Sequence, residues 1–150
     1  PVLENANNNT VVTKTLVLPV DENGVQQTQT ITYKGKQFLT LTIQQKRKVS
    51  DELKSYIAEH GLEAAKQALK EGEDKDESVQ EARKIPGFSL ETNLLSETEI
   101  ETKTSYDFQV LDVKKASESE YLKNVGLDNL LKNEPEEYIE KRVASGATVQ

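Results

Sequence analysis

Several residue types are missing from this chain of 150 residues, and each absence excludes a class of site. The sequence contains no Cys, no Met and no Trp, and it has a single His. Without Cys, a disulfide scaffold, a thiolate metal site and a cysteine nucleophile are impossible in this chain. A cluster of His ligands is excluded as well, and a Ser-His-Asp arrangement could use only His60.

Positive charge and long apolar runs are also scarce. The chain has 26 acidic and 19 basic residues, which gives a formal net charge of −7. Nucleic-acid binding needs clustered Lys and Arg, and the only dense basic stretch is Lys46-Arg47-Lys48. We interpret that stretch as a solvated strand end or loop and predict no nucleic-acid partner. The longest apolar run, Leu16–Val20, is far shorter than the roughly 18 residues that cross a membrane.

The apolar content is nevertheless sufficient for one modest core. Leu, Ile, Val and Phe make up 38 of the 150 residues, which exceeds the roughly one-fifth below which disorder is favoured. We predict a single domain over 11–150. Residues 1–10 are Asn-rich and aperiodic, so they predict a flexible leader. A start at Pro1 without any Met predicts a chain that has been trimmed.

Three segments in the first third of the chain have the pattern of β-strands. They are 11–20, 25–33 and 39–44. The second segment places Ile31 and Tyr33 on one parity and Thr residues on the other, which is typical of a strand with one buried face. Turn signals at Asn23-Gly24 and at 33–36 separate the segments. Together they predict an antiparallel meander.

A helical region follows the meander. Ser50 is a good N-cap, and two acidic residues after it suit the positive end of a helix dipole. Apolar residues then recur at helical spacing as far as Leu69. Gly61 predicts a kink or a split in this helix, and Gly72 predicts its end.

The residues after this region predict a linker and a short helix. Residues 71–77 hold five acids and one Lys, so we expect a solvated linker. A short helix is expected over 77–84. Ile85-Pro86-Gly87 predicts its end, because Pro lacks the backbone donor and Gly breaks regularity.

The two-residue period returns over 97–110. Ile100, Tyr106 and Phe108 fall on one parity with several Thr, and acidic residues dominate the other. This pattern predicts one long strand, or two strands joined by a bulge or tight bend near Ser105. The acid-rich face must be solvated, which is typical of an antiparallel sheet.

The last third of the chain predicts helices. Ser117 and Glu120 have the spacing of a capping box, and Gly126 fits a C-terminal cap. Asp128 or Asn133 could open the next helix, and Pro135 in the first turn favours Asn133. Gly146 is expected to end that helix. The partly segregated order of strands and helices predicts an α+β fold, with an antiparallel sheet packed against a central helix and C-terminal helices.

Catalytic and metal-binding patterns are weak. His60 lies beside a predicted helix break, where the helix dipole favours it for structural reasons. The acidic groups, which are Glu97, Glu99 and Glu101 on a strand and Glu71, Glu73, Asp74 and Asp76 in the predicted linker, have no signature of burial or of a calcium loop. The seven Gly form no phosphate-binding loop. We therefore assign no catalytic, cofactor-binding or metal-binding residue, and expect no cofactor.

Two features have alternative interpretations as binding surfaces. Tyr33, Tyr106 and Phe108 share strand parities with aliphatic residues, so we expect them in the core, the alternative being an exposed patch that holds a ligand. The Gln- and Thr-rich segment 26–45 is expected to be an ordinary solvated strand face. The alternative is an edge strand to which a partner strand is added.

The order of segments resembles that of the YehR-like bacterial lipoproteins, a family defined as a domain of unknown function. The segments that carry this resemblance span 15–150. They are Thr32-Tyr33-Lys34-Gly35-Lys36 at a hairpin turn, Lys84-Ile85-Pro86-Gly87 after a helix, 95–113 as a strand pair, and 138–146 as a closing helix with its Gly. The resemblance implies an exported protein anchored by a lipid on an N-terminal Cys. Because this chain has no Cys, the anchor residue would have to precede Pro1, and the leader would be the tether.

These observations favour a lipid-anchored domain on the outer face of a bacterial membrane that binds a partner without catalysis. The partner could be a protein, a cell-wall component or a small molecule, its surface on this chain is unknown, and we expect a monomer. The alternatives are a carboxylate-dependent enzyme acting on cell-envelope material and a cytosolic adaptor domain. The resemblance carries no catalytic residue to this sequence.

Overall fold

The computed structural model describes residues 10–150, so the predicted leader lies, apart from Thr10, outside the described residues. The secondary structure consists of strands β1 (Val11–Val17), β2 (Gln26–Lys34), β3 (Gln37–Lys48), β4 (Phe88–Leu94), β5 (Glu99–Asp107) and β6 (Thr148–Val149), and helices α1 (Asp51–His60), α2 (Leu62–Lys75), α3 (Glu77–Arg83), α4 (Val113–Glu118), α5 (Leu127–Leu131) and α6 (Pro135–Ala144). The strands form one antiparallel sheet in the order β4-β5-β3-β2-β1-β6. The predicted α+β class is confirmed.

One face of the sheet carries the main core. Cross-strand pairing places Ile31 opposite Leu41, Leu41 opposite Tyr106, and Tyr106 opposite Phe88. All four side chains are buried, and each face-sharing pair stabilises the sheet by direct contact. Burial of an aliphatic side chain as complete as that of Ile31 contributes about 1.5–3 kcal/mol. The helices lie on this same face, because its apolar residues are the ones that must be covered.

The opposite face of the sheet is a ladder of hydroxyl groups. Thr13 and Thr32 oxygens lie 3.3 Å apart across β1 and β2, and the hydroxyls of Thr42 and Ser105 lie 3.3 Å apart across β3 and β5. This face carries the polar parity of each alternating strand. The predicted arrangement, with one buried face and one solvated face, follows from that alternation.

A second, smaller apolar cluster lies under α1 and α2. Its buried members are Val49, Ile57, Ala65, Leu94 and Ile100. Ser50 caps α1 as predicted, since its hydroxyl accepts from the Leu53 amide at 3.2 Å. Gly61 splits the helical region as predicted, with φ of +90° between α1 and α2.

The prediction of a solvated linker over 71–77 is wrong, and so is the prediction that Gly72 ends the helix. Helix α2 continues to Lys75, and α3 begins at Glu77. The acids are tolerated in the helix because most are exposed, while Glu73 pairs with Arg83 at 3.0 Å. The break falls at Asp76, whose carboxylate accepts from the Ser78 and Val79 amides and caps α3.

The sheet contains a strand that the sequence did not predict, β4. After Gly87, whose φ is +88°, the chain enters β4 and pairs with β5. Between the two predicted alternatives for 97–110, one strand is correct, because β5 keeps an unbroken register with β3 through Ser105. The strand pair placed at 95–113 from the resemblance is therefore shifted, since the two strands occupy 88–94 and 99–107.

The predicted helix boundaries near the C-terminus need correction. Ser117 lies inside α4, whose cap is Asp112, so the Ser117–Glu120 capping box is not formed. Gly126 precedes α5 in a left-handed conformation and does not follow a helix. Glu134, and not Asn133, occupies the cap position before Pro135. Helix α6 ends at Ala144, next to Gly146 as expected, and the chain then adds the two-residue strand β6 to β1.

The topology also decides the alternative interpretation of 26–45. Strands β2 and β3 are interior strands, each paired on both sides. Their backbone groups are already occupied, so addition of a partner strand to this segment is excluded. Within residues 10–150, the helices are too short and too polar for any of them to traverse a bilayer.

Candidate binding cleft

A cleft of about 670 Å³ opens between the helix-covered face of the sheet and the C-terminal residues 121–142. Its floor comes from β2, β3 and β5, and its other wall from the segment around α5 and α6. The floor residues are Gln27, Gln29, Leu41, Ile43, Gln45, Thr102, Thr104 and Tyr106. The volume lies within the roughly 300–1,000 Å³ that is usual for small-molecule sites.

The polar part of the floor results from a change of residue type along a constant parity. On β2, Ile31 and Tyr33 face the core, and the same parity continues to Gln29 and Gln27. The register aligns Gln27 with Gln45 across β2 and β3. In β3 and β5, Gln45 is aligned with Thr102. Three adjacent strands therefore present amides and hydroxyls where an ordinary core would have aliphatic side chains.

Gln29 is the most deeply buried of these polar side chains, with 3% of its surface exposed. A buried amide must be hydrogen-bonded, because an unsatisfied polar group costs about 1–3 kcal/mol. Its Nε2 donates to Gln27 Oε1 at 2.6 Å. Its Oε1 accepts from the Tyr138 hydroxyl at 2.7 Å. Both ends of the amide are thus satisfied.

The hydrogen-bond chain continues from the floor to the helical wall. Arg142 Nε donates to the Tyr138 hydroxyl oxygen at 3.0 Å, and the guanidinium carbon lies 5.3 Å from the centre of the Tyr138 ring. We call Gln27, Gln29, Tyr138 and Arg142 the polar chain. It ties α6 to β2 and fixes the guanidinium at the cleft wall.

The electrostatic character of the cleft differs from that of the whole protein. Among residues 10–150, Arg142 is the single charged side chain in the lining, and no carboxylate lines the cleft, although the protein carries a net charge of −7. Within residues 10–150, no acidic side chain forms an ion pair with Arg142. A guanidinium stays charged at every accessible pH, so the cleft has a permanent local positive charge.

Two phenols in the lining remain protonated donors near neutral pH. Burial raises the pKa of Tyr106, and a hydrogen bond with Thr104 opposes that effect. Burial likewise raises the pKa of Tyr121, with the Glu73 carboxylate acting in the same direction. Neither side chain is therefore suited to act as a general base at neutral pH, and both can donate to an acceptor on a ligand.

The side chains considered from the sequence as possible catalytic groups lie elsewhere. His60 ends α1, its Nε2 lies 3.7 Å from the Glu59 carboxylate, and its ring centre lies 4.5 Å from that of Tyr56. None of the acidic side chains in the predicted linker or on β5 lines the cleft. In the part of the chain that the structure describes, no group of three or more His, Asp or Glu could hold a metal ion.

The predicted core role of the three aromatic residues is confirmed. Tyr33 and Tyr106 are buried, and the half-buried Phe108 packs against the same cluster. The ring centres of Tyr106 and Phe108 lie 6.3 Å apart in a stacked arrangement. Tyr106 also lines the floor of the cleft, so the same side chain contributes to both the core and the cleft.

Sequence reasoning missed the cleft residues, although a signal was present. Gln27, Gln29 and Gln45 stand on the apolar parity of their strands, and a polar residue at a core-facing position is more informative than an exposed one. Tyr138 and Arg142 are one helical turn apart, which places them on one face of α6.

Comparisons with known proteins give a family but no activity. Residues 11–142 match the model of a family defined as a domain of unknown function. A solved structure described as the NMR structure of the protein from Streptococcus pneumoniae TIGR4 is similar, with 68% sequence identity and a TM-score of 0.88. That match covers 100% of this chain and 91% of the other. No curated protein matches this chain.

Proposed function

The chain belongs to this bacterial family of unknown function, and from that premise we propose that it is a binding module that takes a small polar ligand into the cleft without catalysis. The observation that carries the proposal is the polar chain at the wall of an open cavity. In it the buried Gln29 accepts from the Tyr138 hydroxyl, and that hydroxyl in turn accepts from Arg142 Nε. Buried polar groups cost stability unless they are fully paired. An aliphatic residue at position 29 could be buried at the floor without any hydrogen-bond partner. The presence of a polar residue there is therefore explained if the cleft recognises a ligand.

The chemistry of the lining supports binding over catalysis. General acid or base catalysis needs a titratable group with a pKa near the working pH within reach of the substrate. The lining offers amides, hydroxyls, phenols and one permanently charged guanidinium. Two of the phenols, Tyr106 and Tyr121, have a pKa that burial raises. No acidic side chain of residues 10–150 lines this cleft, so the described lining offers a carboxylate-dependent enzyme no acidic group.

The finer part of the proposal is that this module belongs to an exported lipoprotein of the YehR-like kind, held on the outer face of the membrane. The resemblance supports it through the hairpin turn around Gly35 and through the closing helix α6 with its Gly146. Such a protein would meet soluble envelope components, which are rich in polar groups. The test is the sequence encoded upstream of Pro1. An apolar signal segment that ends in a Cys agrees with this proposal. An upstream sequence without an apolar export segment contradicts it.

Binding in the cleft is tested by chemical-shift mapping of the ¹⁵N-labelled protein against a panel of cell-wall saccharides and peptides. We expect saturable shifts at the side-chain amides of Gln27 and Gln45 and at the backbone around Asn129. Shifts confined to the hydroxyl ladder on the other face of the sheet, or none across the panel, would refute the cleft as the site.

Strand β3 offers a matched pair of variants for this test. Gln45 faces the cleft, whereas its neighbour Gln44 faces the hydroxyl ladder. Gln45→Phe places a ring in the cleft and is expected to abolish the shifts. Gln44→Phe makes the same chemical change on the opposite face and is expected to leave them unchanged. Equal loss in both variants would indicate a general effect on the sheet.

A further inference from the structure

We infer that the ligand carries a single carboxylate, which pairs with Arg142, and that its remaining polar groups are hydroxyls or amides that meet the floor of the cleft. This inference rests on the proposed function and specifies the chemical class of the ligand. It follows from the orientation of Arg142, from the absence of acids in the lining, and from the pairing of amides on β2 and β3.

The orientation of Arg142 is fixed from two directions. Its Nε is used in the 3.0 Å bond to the Tyr138 hydroxyl, and its guanidinium lies against the Tyr138 ring at 5.3 Å. The two terminal nitrogens form no hydrogen bond or ion pair with residues 10–150. Terminal guanidinium nitrogens held in a plane match the two oxygens of a carboxylate.

The neighbouring charges leave Arg142 available for a ligand. The nearest basic residue on the helix, Lys141, bonds Asn133 Oδ1 at 2.7 Å and lies 3.5 Å from the Glu137 carboxylate. Among residues 10–150, Arg142 has no such acidic partner, although α6 contains several acids. One unpaired positive charge in the lining fits one negative charge on the ligand, whereas a phosphate monoester, with close to two charges at neutral pH, would leave part of its charge unmatched.

The floor specifies the rest of the ligand. Gln27 and Gln45 are aligned across two strands, and Thr102 is aligned with Gln45 on the next strand. An amide donates and accepts at once, so this row suits hydroxyls or acylamino groups, which do the same. Leu41 and Ile43 beside it offer apolar contact for the carbon skeleton. Acidic sugars and N-acyl amino acids both have this combination of groups.

The experiment compares probes that differ only at the carboxylate. D-glucuronate is titrated against D-glucuronamide, and N-acetyl-D-alanine against its amide, with shifts of the cleft resonances as the readout. Loss of a charge-assisted pair is expected to weaken binding by about 10- to 100-fold, so each amide should bind that much more weakly than its acid. Which acid binds more tightly distinguishes a sugar from an amino-acid skeleton, and glucose 6-phosphate tests the phosphate alternative.

The variant that isolates the charge is Arg142→Gln, with Arg142→Lys as its conservative partner. Arg142→Gln should remove the preference for acid over amide, and Arg142→Lys should keep part of it because the charge remains without the fork. Lys46→Gln is the control, since Lys46 is exposed on β3 and faces the opposite side of the sheet from Gln45. Unchanged far-ultraviolet circular dichroism identifies the variants that remain folded. The comparison of acid and amide probes on the wild-type protein tests the inference even if a variant fails to fold.

The outcomes separate the two levels of the argument. Cleft shifts with equal affinity for acid and amide overturn the carboxylate assignment and leave the proposed function intact, as does tighter binding of the phosphate. Cleft shifts caused by neutral saccharides of the panel, without shifts caused by either acid, likewise overturn the carboxylate assignment and leave the proposed function intact. No cleft shift by any of these probes or by the panel overturns both.

Discussion

Removal of one hydroxyl from the polar chain should destabilise the protein measurably. In Tyr138→Phe the ring remains, but Gln29 Oε1 loses the donor at 2.7 Å and Arg142 Nε loses its acceptor. Gln29 is 3% exposed, and an unpaired group so deeply buried costs about 1–3 kcal/mol. For a domain of this size the loss corresponds to a fall in Tm of about 2–12 °C.

Urea denaturation followed by circular dichroism measures this loss, with the slope against denaturant expected to stay unchanged. Tyr56→Phe is the matched control, because Tyr56 is 37% exposed and its hydroxyl forms no hydrogen bond with residues 10–150. That variant should stay within about 0.5 kcal/mol of wild type.

A double-mutant cycle with Gln29→Leu identifies the hydrogen bond as the cause. Since the double variant removes both partners, it should cost less than the sum of the single variants by about 1 kcal/mol or more. Simple additivity, or a Tyr138→Phe loss no larger than that of Tyr56→Phe, would refute the structural role of the polar chain.

Three further predictions concern the elements around the cleft. Gly87→Ala should cost at least about 1–3 kcal/mol, because φ is +88° and a Cβ would lie 2.9 Å from the Asp107 carbonyl oxygen, whereas Gly72→Ala in the open interior of α2 should gain about 0.5–1 kcal/mol; thermal denaturation of the two variants checks both signs. Arg83→Ala should cost about 1–3 kcal/mol and speed amide exchange in β4, because one Arg83 nitrogen bonds Glu73 at 3.0 Å and the Leu90 carbonyl at 3.1 Å. Unchanged exchange in β4 would contradict that role. A hydrogen bond from the Ser78 hydroxyl lowers the pKa of Asp76 below its ordinary value of 3.8, so the carboxylate stabilises the fold above that pH and loses its effect as the pH falls through the lowered value. Asp76→Ala should therefore be less stable than wild type at pH 7, with the difference shrinking below pH 3.8 in urea titrations; a difference independent of pH would contradict this reasoning.

Local patterns in the sequence were sufficient where an element is stabilised by its own alternation or by a nearby cap. Ile31 and Tyr33 predicted the buried parity of β2, and Ser50 and Gly61 predicted where helices begin and break. The acid-rich end of α2 misled the prediction because composition does not reveal that Glu73 has a partner ten residues away in Arg83. The strand β4 was missed because its burial depends on pairing with β5, which is a tertiary contact.

The candidate site was less predictable than the sheet. Gln29 is 109 residues from Tyr138 along the chain, and only the docking of α6 onto β2 brings the two together. The parity of Gln27, Gln29 and Gln45 could have marked the floor of the cleft in advance. The position of the Arg142 charge at the cleft wall could not have been predicted from the sequence, since nothing local to α6 determines which strand the helix packs against.

The most direct test of the central claim is a titration of the ¹⁵N-labelled protein with D-glucuronate and D-glucuronamide, observed at the side-chain amides of Gln27, Gln29 and Gln45. Binding in the cleft predicts saturable shifts at these amides, and a carboxylate paired with Arg142 predicts binding at least about tenfold weaker for D-glucuronamide. Chemical-shift changes at the hydroxyl ladder, without changes in the resonances of the cleft amides, would contradict the claim that the cleft is the binding site.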